Sequence, residues 1–161
     1  MRKRYWDMFF DLKVSEFYFQ LYSCRAAKWG TAISALVTLG SAACVLNWYN
    51  SSPLSPLLGI LIVSAQIFTA LQNFLPFGKR GIAANYIYRE VAHLFLAVEA
   101  EWDAFNNETS NEELARCLAA RQAEYLNIED RYASPHLFPW SAKLHEKAQE
   151  AALLHFRRYE S

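Results

Sequence analysis

The chain has 161 residues, 53% of them hydrophobic, and its sixteen basic and sixteen acidic residues cancel to a formal net charge of zero. Such averages suit an ordinary soluble domain, and they exclude the broad basic field of a non-specific nucleic-acid binder. The distribution tells against the average: every charge lies in 1–28 or 79–161, leaving fifty consecutive positions, 29–78, without one. A soluble domain scatters charge over each exposed helix face, so the gap points to lipid as solvent.

Residues 1–28 hold eight aromatics and no proline or glycine. This composition predicts a helix. At 100° per residue its apolar positions spread over most of the circumference, which is not the sharp stripe of a helix lying flat on a surface. The expectation is an amphipathic N-terminal helix that packs on protein and headgroups and runs directly into the charge-free segment. Asp7, Asp11, Lys13 and Glu16 interrupt any early apolar core, which argues against a cleaved signal peptide.

Within the gap, Thr31 to about Tyr49 and Leu57 to about Leu75 are each about 20 residues, enough at ~1.5 Å per residue to cross ~30 Å of hydrocarbon. "NWYNSSPLSP" between them is rich in turn formers, so the expectation is a two-span transmembrane hairpin. Trp29, Trp48 and Tyr49 suit the interfacial aromatic belt. Arg2, Lys3, Arg4, Lys13, Arg25, Lys28, Lys79 and Arg80 flank the spans and the connecting loop has no cation, so both termini are expected in the cytoplasm of a bacterial inner-membrane protein. The alternative, a buried soluble hairpin, is disfavoured because such hairpins rarely lack charge even at their ends.

Ser34, Thr38 and Ala42, with Thr31 and Ala35 beside them, give the first span a face on which helices can approach closely. In the second span Ser55, Gly59, Gln66, Thr69 and Asn73 fall near one face, with Gln72 close by. Amides in hydrocarbon need partners, so Gln66, Thr69 and Asn73 form either an interhelical hydrogen-bonding stripe or the lining of an oligomeric pore. The stretch "QNFLPFGKRG", 72–81, then reads as the exit of the span: Pro76 ends it, and Gly78 and Gly81 give freedom around Lys79 and Arg80, either as an anchor or as a signalling joint.

Residues 79–161 carry ten basic and thirteen acidic residues and read as a small three-helix cytoplasmic domain. Ile87, Val91, Leu94, Val98, Trp102 and Phe105 make a stripe over a helix from about Gly81 to Asn106. Ser110 and Glu113 form a capping box opening a second helix, buried through Leu114, Leu118, Tyr125, Ile128 and Tyr132. "ASPHLFPW" is a loop before a last helix, from about Ser141 to Tyr159. A core this small would gain from self-association.

No enzyme motif is present: no phosphate-cradling glycine loop, no nucleophile elbow, no HExxH. His93, His136, His145 and His155 have no ligand-like spacing, and Glu99/Asp103 and Glu112/Glu113 fit a solvated helix face. Cys24, Cys44 and Cys117 show no paired spacing, which argues against disulfides and zinc. The expectation is therefore a non-enzyme with no cofactor and no metal. Two groups combine cation, aromatic and amide, the mixture a small nucleotide needs. One is Lys79, Arg80, Asn85, Tyr86 and Arg89; the other is Arg131, Tyr132, His136, Phe138, Trp140 and Lys143. Lys79, Arg80, Arg89, Arg131, His136, Trp140 and Lys143 are the candidate ligand residues. A headgroup anchor accounts for the first group as well, and interhelical packing for the second.

The order of parts, with "RYWDMFF", "LPFGKR" and "EVAHLFLAVEAEW", resembles the small two-transmembrane effectors of prokaryotic antiviral defence. Within them the chain is similar to the membrane effector of type III CRISPR systems that is activated by cyclic oligoadenylate. The resemblance implies a homo-oligomer such as a tetramer, cytoplasmic domains that bind a small cyclic nucleotide such as cyclic tetra-adenylate, no long nucleic acid, and spans that perturb the inner membrane. It assigns no ligand residues; those above come from their chemistry. A phage-type holin and a passive membrane-anchored adaptor are the alternatives.

Overall fold

The computed structural model describes residues 1–49, 59–60, 62–67, 77–105, 109–132 and 138–157, with the backbone alone at 41, 43–49 and 77–79. Four long helices lie among them: α1 Arg2–Tyr49, α2 Phe77–Ala104, α3 Asn111–Tyr132 and α4 Ala142–Phe156. Residues 59–60 and 62–67 are also helical, and no strand occurs among the described residues. The chain divides into two compact units, Met1–Cys24 with Gly81–Ser161, and Arg25–Arg80.

The first unit groups two segments that the expected division at 28 and 79 keeps apart. Residues 1–24 are not a separate interfacial element. They are the central packing partner of the other three helices, so the expected three-helix domain is a four-helix unit. Tyr5, Phe9, Leu12, Val14, Tyr18 and Phe19 of α1 are buried with Ile87, Val91, Leu94, Phe95 and Val98 of α2, Leu114 and Ile128 of α3, and Leu144 and Phe156 of α4. Phe9 stacks on Phe95 at 4.9 Å between centroids and meets Phe156 edge-on at 5.0 Å, while Trp6 and Trp102 pack at 5.1 Å. Aromatic pairs in these geometries add to the area they bury.

The physical reason lies in α1. Tyr5, Phe9, Leu12, Glu16 and Phe19 follow helical spacing on one face, but Lys13 and Glu16 are buried along with the apolar residues. Lys13 Nζ donates to Glu16 Oε2 at 2.9 Å and lies 4.1 Å from the Phe95 ring centroid. Charge hidden inside and aromatics left half-exposed outside, among them Trp6, Phe10 and Phe17, blur the stripe that a hydropathy reading seeks.

The other helices follow their sequence signals closely. The α2 stripe is buried at Ile87, Val91, Leu94 and Val98, with Trp102 and Phe105 packed against the core. Ser110 Oγ accepts the Glu113 backbone N–H at 3.1 Å, and Glu112, Glu113 and Arg131 complement the α3 dipole at its two ends. In α4, Leu144, Ala148, Ala152 and Phe156 are buried at a strict four-residue interval. Ser141 has extended backbone at the α4 N-cap, and its N–H donates to the Tyr18 hydroxyl at 3.3 Å. That bond fixes the start of α4 against α1.

Helix α2 begins at Phe77, so Gly78, Lys79, Arg80 and Gly81 lie inside a helix, and no glycine among the described residues has positive φ. The reading of Gly78 and Gly81 as loose backbone around a joint is thereby corrected. Pro76 lies outside the described residues.

In the second unit, α1 shows no break at the expected boundary after residue 28. Thr31 Oγ1 donates to Ala27 O at 3.1 Å, Thr38 Oγ1 to Ser34 O at 2.8 Å, and Ser64 Oγ to Ile60 O. Among the described residues no helix is long and apolar enough to cross a membrane. Most of the expected turn "NWYNSSPLSP", including Ser55, and Thr69, Gln72 and Asn73 lie outside the described residues. Gln66 is exposed, and open space surrounds Gly59.

Candidate functional site

The two cationic groups of the sequence are rearranged. Tyr86 of α2 and Tyr132 of α3 stack at 6.1 Å with planes 8° apart, joining a member of each group. The Arg131 guanidinium lies 5.9 Å from the Tyr132 ring centroid, and exposed Arg89 follows Tyr86 by three positions on the same helix, hence on the same face. Arg89, Tyr86, Tyr132 and Arg131 thus form an aromatic step, exposed at Tyr86 and half-buried at Tyr132, with an arginine at each end. Lys79 and Arg80 are in the first turn of α2; Arg80 Nε is buried with no hydrogen-bond partner among the described residues. His136 lies outside the described residues.

Trp140 belongs elsewhere. Its indole is 68% exposed, stacks on Tyr18 at 5.6 Å with planes 17° apart, and packs 4.6 Å from the His145 ring. It edges a cavity of about 360 Å³ between α1, α3 and α4, with Val14, Tyr18 and Phe19 as the buried floor. Tyr125, Phe138 and Trp140 complete the aromatic wall, and the charged lining is Asp11 and Glu129, with His145 beside them. Among the described residues, neither lysine nor arginine lines the cavity. Phosphate is the wrong ligand for such a wall. Trp140 thus sits with carboxylates, and exposed Lys143 lies outside the lining.

The electrostatics reflect this lining. Partial burial pushes the Asp11 carboxyl above its ordinary range, Asp7 one turn earlier pushes it the same way, and only His145 opposes. Burial raises the Tyr125 phenol to about 12, with the Glu129 and Asp11 charges adding to it and the bond to Ser15 opposing. The Tyr125 hydroxyl and Ser15 Oγ are 3.2 Å apart. Sequence reasoning missed Asp11, Ser15, Tyr18, Glu129 and His145 as members of one site. The available signal was polar pairs at helical spacing on otherwise buried faces: Asp11/Ser15, Tyr125/Glu129 and His145/Gln149.

A second polar cluster is saturated and holds the helices together. Buried Tyr5 donates to Glu101 Oε2 at 2.6 Å, and Arg121 grips Glu101 Oε1 through Nε at 3.1 Å and Nη2 at 2.6 Å while pairing with Glu124 at 2.7 Å. Burial alone would raise the Glu101 carboxyl; the bonds from Arg121 and Tyr5 outweigh it and hold the carboxyl low. Burial and the Glu101 charge lift the Tyr5 phenol well above its usual range. Such a clamp ties α1, α2 and α3 and leaves no group free for chemistry. Among the described residues no cluster of histidine, cysteine, aspartate or glutamate could hold a metal ion.

No family model, no curated protein and no solved structure matches this chain.

Proposed function

We propose that the chain is a membrane effector of antiviral defence: a helical head that binds a cyclic oligonucleotide, joined to a charge-free two-span hairpin that self-associates and permeabilises the inner membrane. One observation carries the membrane half. Across the charge-free segment Leu39, Ile60, Val63 and Ile67 are exposed, Leu39 to 62% and Ile60 to 68%, with no charged neighbour in sequence to make that surface wettable. The first unit exposes large apolar residues too, but there they alternate with charge. Hydroxyls turned onto their own helix backbone at Thr31, Thr38 and Ser64 are what an apolar solvent requires of polar groups. The second proposed span extends outside the described residues.

For the head, the Arg89–Tyr86–Tyr132–Arg131 face supports the nucleotide reading that the family resemblance suggests. Two guanidiniums would take phosphates, and the exposed Tyr86 ring offers a platform on which a base gains about 1–3 kcal/mol. In a homo-oligomer such as a tetramer, a cyclic ligand would meet repeated copies of this face, and its preference for one assembly would set the size of the response. The Gln66/Thr69/Asn73 stripe would then line, or seal, the path for ions.

The test is dye and potassium release from liposomes carrying the full chain. Release should rise with cyclic tetra-adenylate, and Arg89→Ala with Arg131→Ala should shift the ligand dependence by tenfold or more while leaving ligand-free release unchanged. Release independent of ligand would favour the holin alternative. Failure to insert into liposomes would overturn the membrane reading.

A further inference from the structure

The head contains a second site whose chemistry is opposite to the first. We infer that the cavity between α1, α3 and α4 binds a small organic cation, an amine or quaternary ammonium group. At about 360 Å³ it falls in the range of small-ligand pockets, ~300–1,000 Å³. Its wall presents five aromatic rings, Tyr18, Phe19, Tyr125, Phe138 and Trp140, and its charged lining is carboxylate. Ring faces carry negative electrostatic potential, so rings and carboxylates act on an ammonium in the same sense, and the pairing becomes stronger as water is excluded.

Two further observations point to a ligand and away from plain packing. Neither Asp11 nor Glu129 is ion-paired with a described lysine, arginine or histidine, although paired carboxylates occur nearby at Glu16, Glu101 and Glu124. Trp140 holds its stacked position on Tyr18 while remaining mostly exposed, leaving part of a large indole surface uncovered beside the opening. An exposed indole, carboxylates without an ion pair and a buried aromatic floor suit an ammonium group. The same charges that would hold the amine repel an anion. The cation could be a free amine or the ammonium of a lipid headgroup.

The site does not depend on the membrane-effector reading, and its test is independent of leakage. The full chain in a non-ionic detergent is titrated calorimetrically with tetramethylammonium, choline and putrescine, with the Trp140 indole N–H followed by NMR; a parallel arm compares nanodiscs with and without phosphatidylethanolamine. Saturable binding with a shift at Trp140 is expected in at least one arm, detergent identifying a free amine and nanodiscs a headgroup. Asp11→Asn and Glu129→Gln should each weaken it about tenfold, the size of losing one charge–ammonium contact at a partly desolvated site. Lys143→Ala, outside the lining, should leave it unchanged. Helix content by circular dichroism checks that the variants fold, and Trp140→Phe, which keeps an aromatic face, should retain most of the affinity. Binding in neither arm, or binding indifferent to both carboxylate changes in folded protein, overturns the assignment. So does displacement of the Trp140 signal by adenosine monophosphate.

Discussion

Two polar clusters, one part-buried and one buried, set the behaviour of individual residues. Glu101 is held below the 4.5 of an ordinary glutamate by Arg121 and Tyr5 against the opposing effect of burial. A depressed folded value means the clamp's stabilisation is complete above the unfolded value and drains away as pH falls through the folded one. Thermal unfolding in detergent should therefore show a decline beginning below about pH 4.5, and Glu101→Gln should flatten it. The Lys13–Glu16 pair has side chains only 10% and 11% exposed. Removing one partner strands the other, so Glu16→Ala should cost about 3 kcal/mol, whereas Lys13→Met with Glu16→Leu should recover most of it. A single variant as mild as a surface change would show that the pair is solvated.

The helices differ in how openly their sequences declare them. Stripe, cap and charged ends identify α2 and α3 within a few residues, because each was written by local rules: spacing of apolar residues, a serine accepting an N–H, charges matched to the dipole. The buried face of α4 is different. Ala148 and Ala152 are both completely buried, so the helix sits where only a methyl fits. Ala148→Leu should destabilise by about 1–3 kcal/mol through overpacking, measured as a loss of thermal stability, although Leu is nearly as good a helix former as Ala. The α1 packing was hidden for the opposite reason. Lys13 and Glu16 occupy buried positions, and no helical wheel assigns a charge to a core before its partner and the Phe95 ring are known.

For the whole molecule, the decisive feature is that the first 24 residues complete a core begun by the last 81. Tyr5, Phe9 and Phe19 fill the space between helices that lie more than sixty positions further along the chain. Residues 79–161 expressed alone should therefore fail to fold cooperatively, and adding 1–24 in trans or by a short linker should restore a single unfolding transition by circular dichroism. An independently folding 79–161 would contradict the packing. The same arrangement gives the head two faces of opposite charge character, an arginine-ended tyrosine step and a carboxylate-lined aromatic cavity.

The amino-acid sequence by itself determined the helical class, the charge-free segment, the α3 cap and the stripe of α2. Each depends on residues near one another in the chain, where spacing alone carries the physics. Tertiary structure decided that 1–24 is core, that Gly78 and Gly81 are helical, that Tyr86 meets Tyr132, and that Trp140 lines a cavity with Asp11 and Glu129. Those outcomes depend on which helix faces meet, and that choice is made by burying the aromatic surface of the entire unit at once, not by any segment's own pattern.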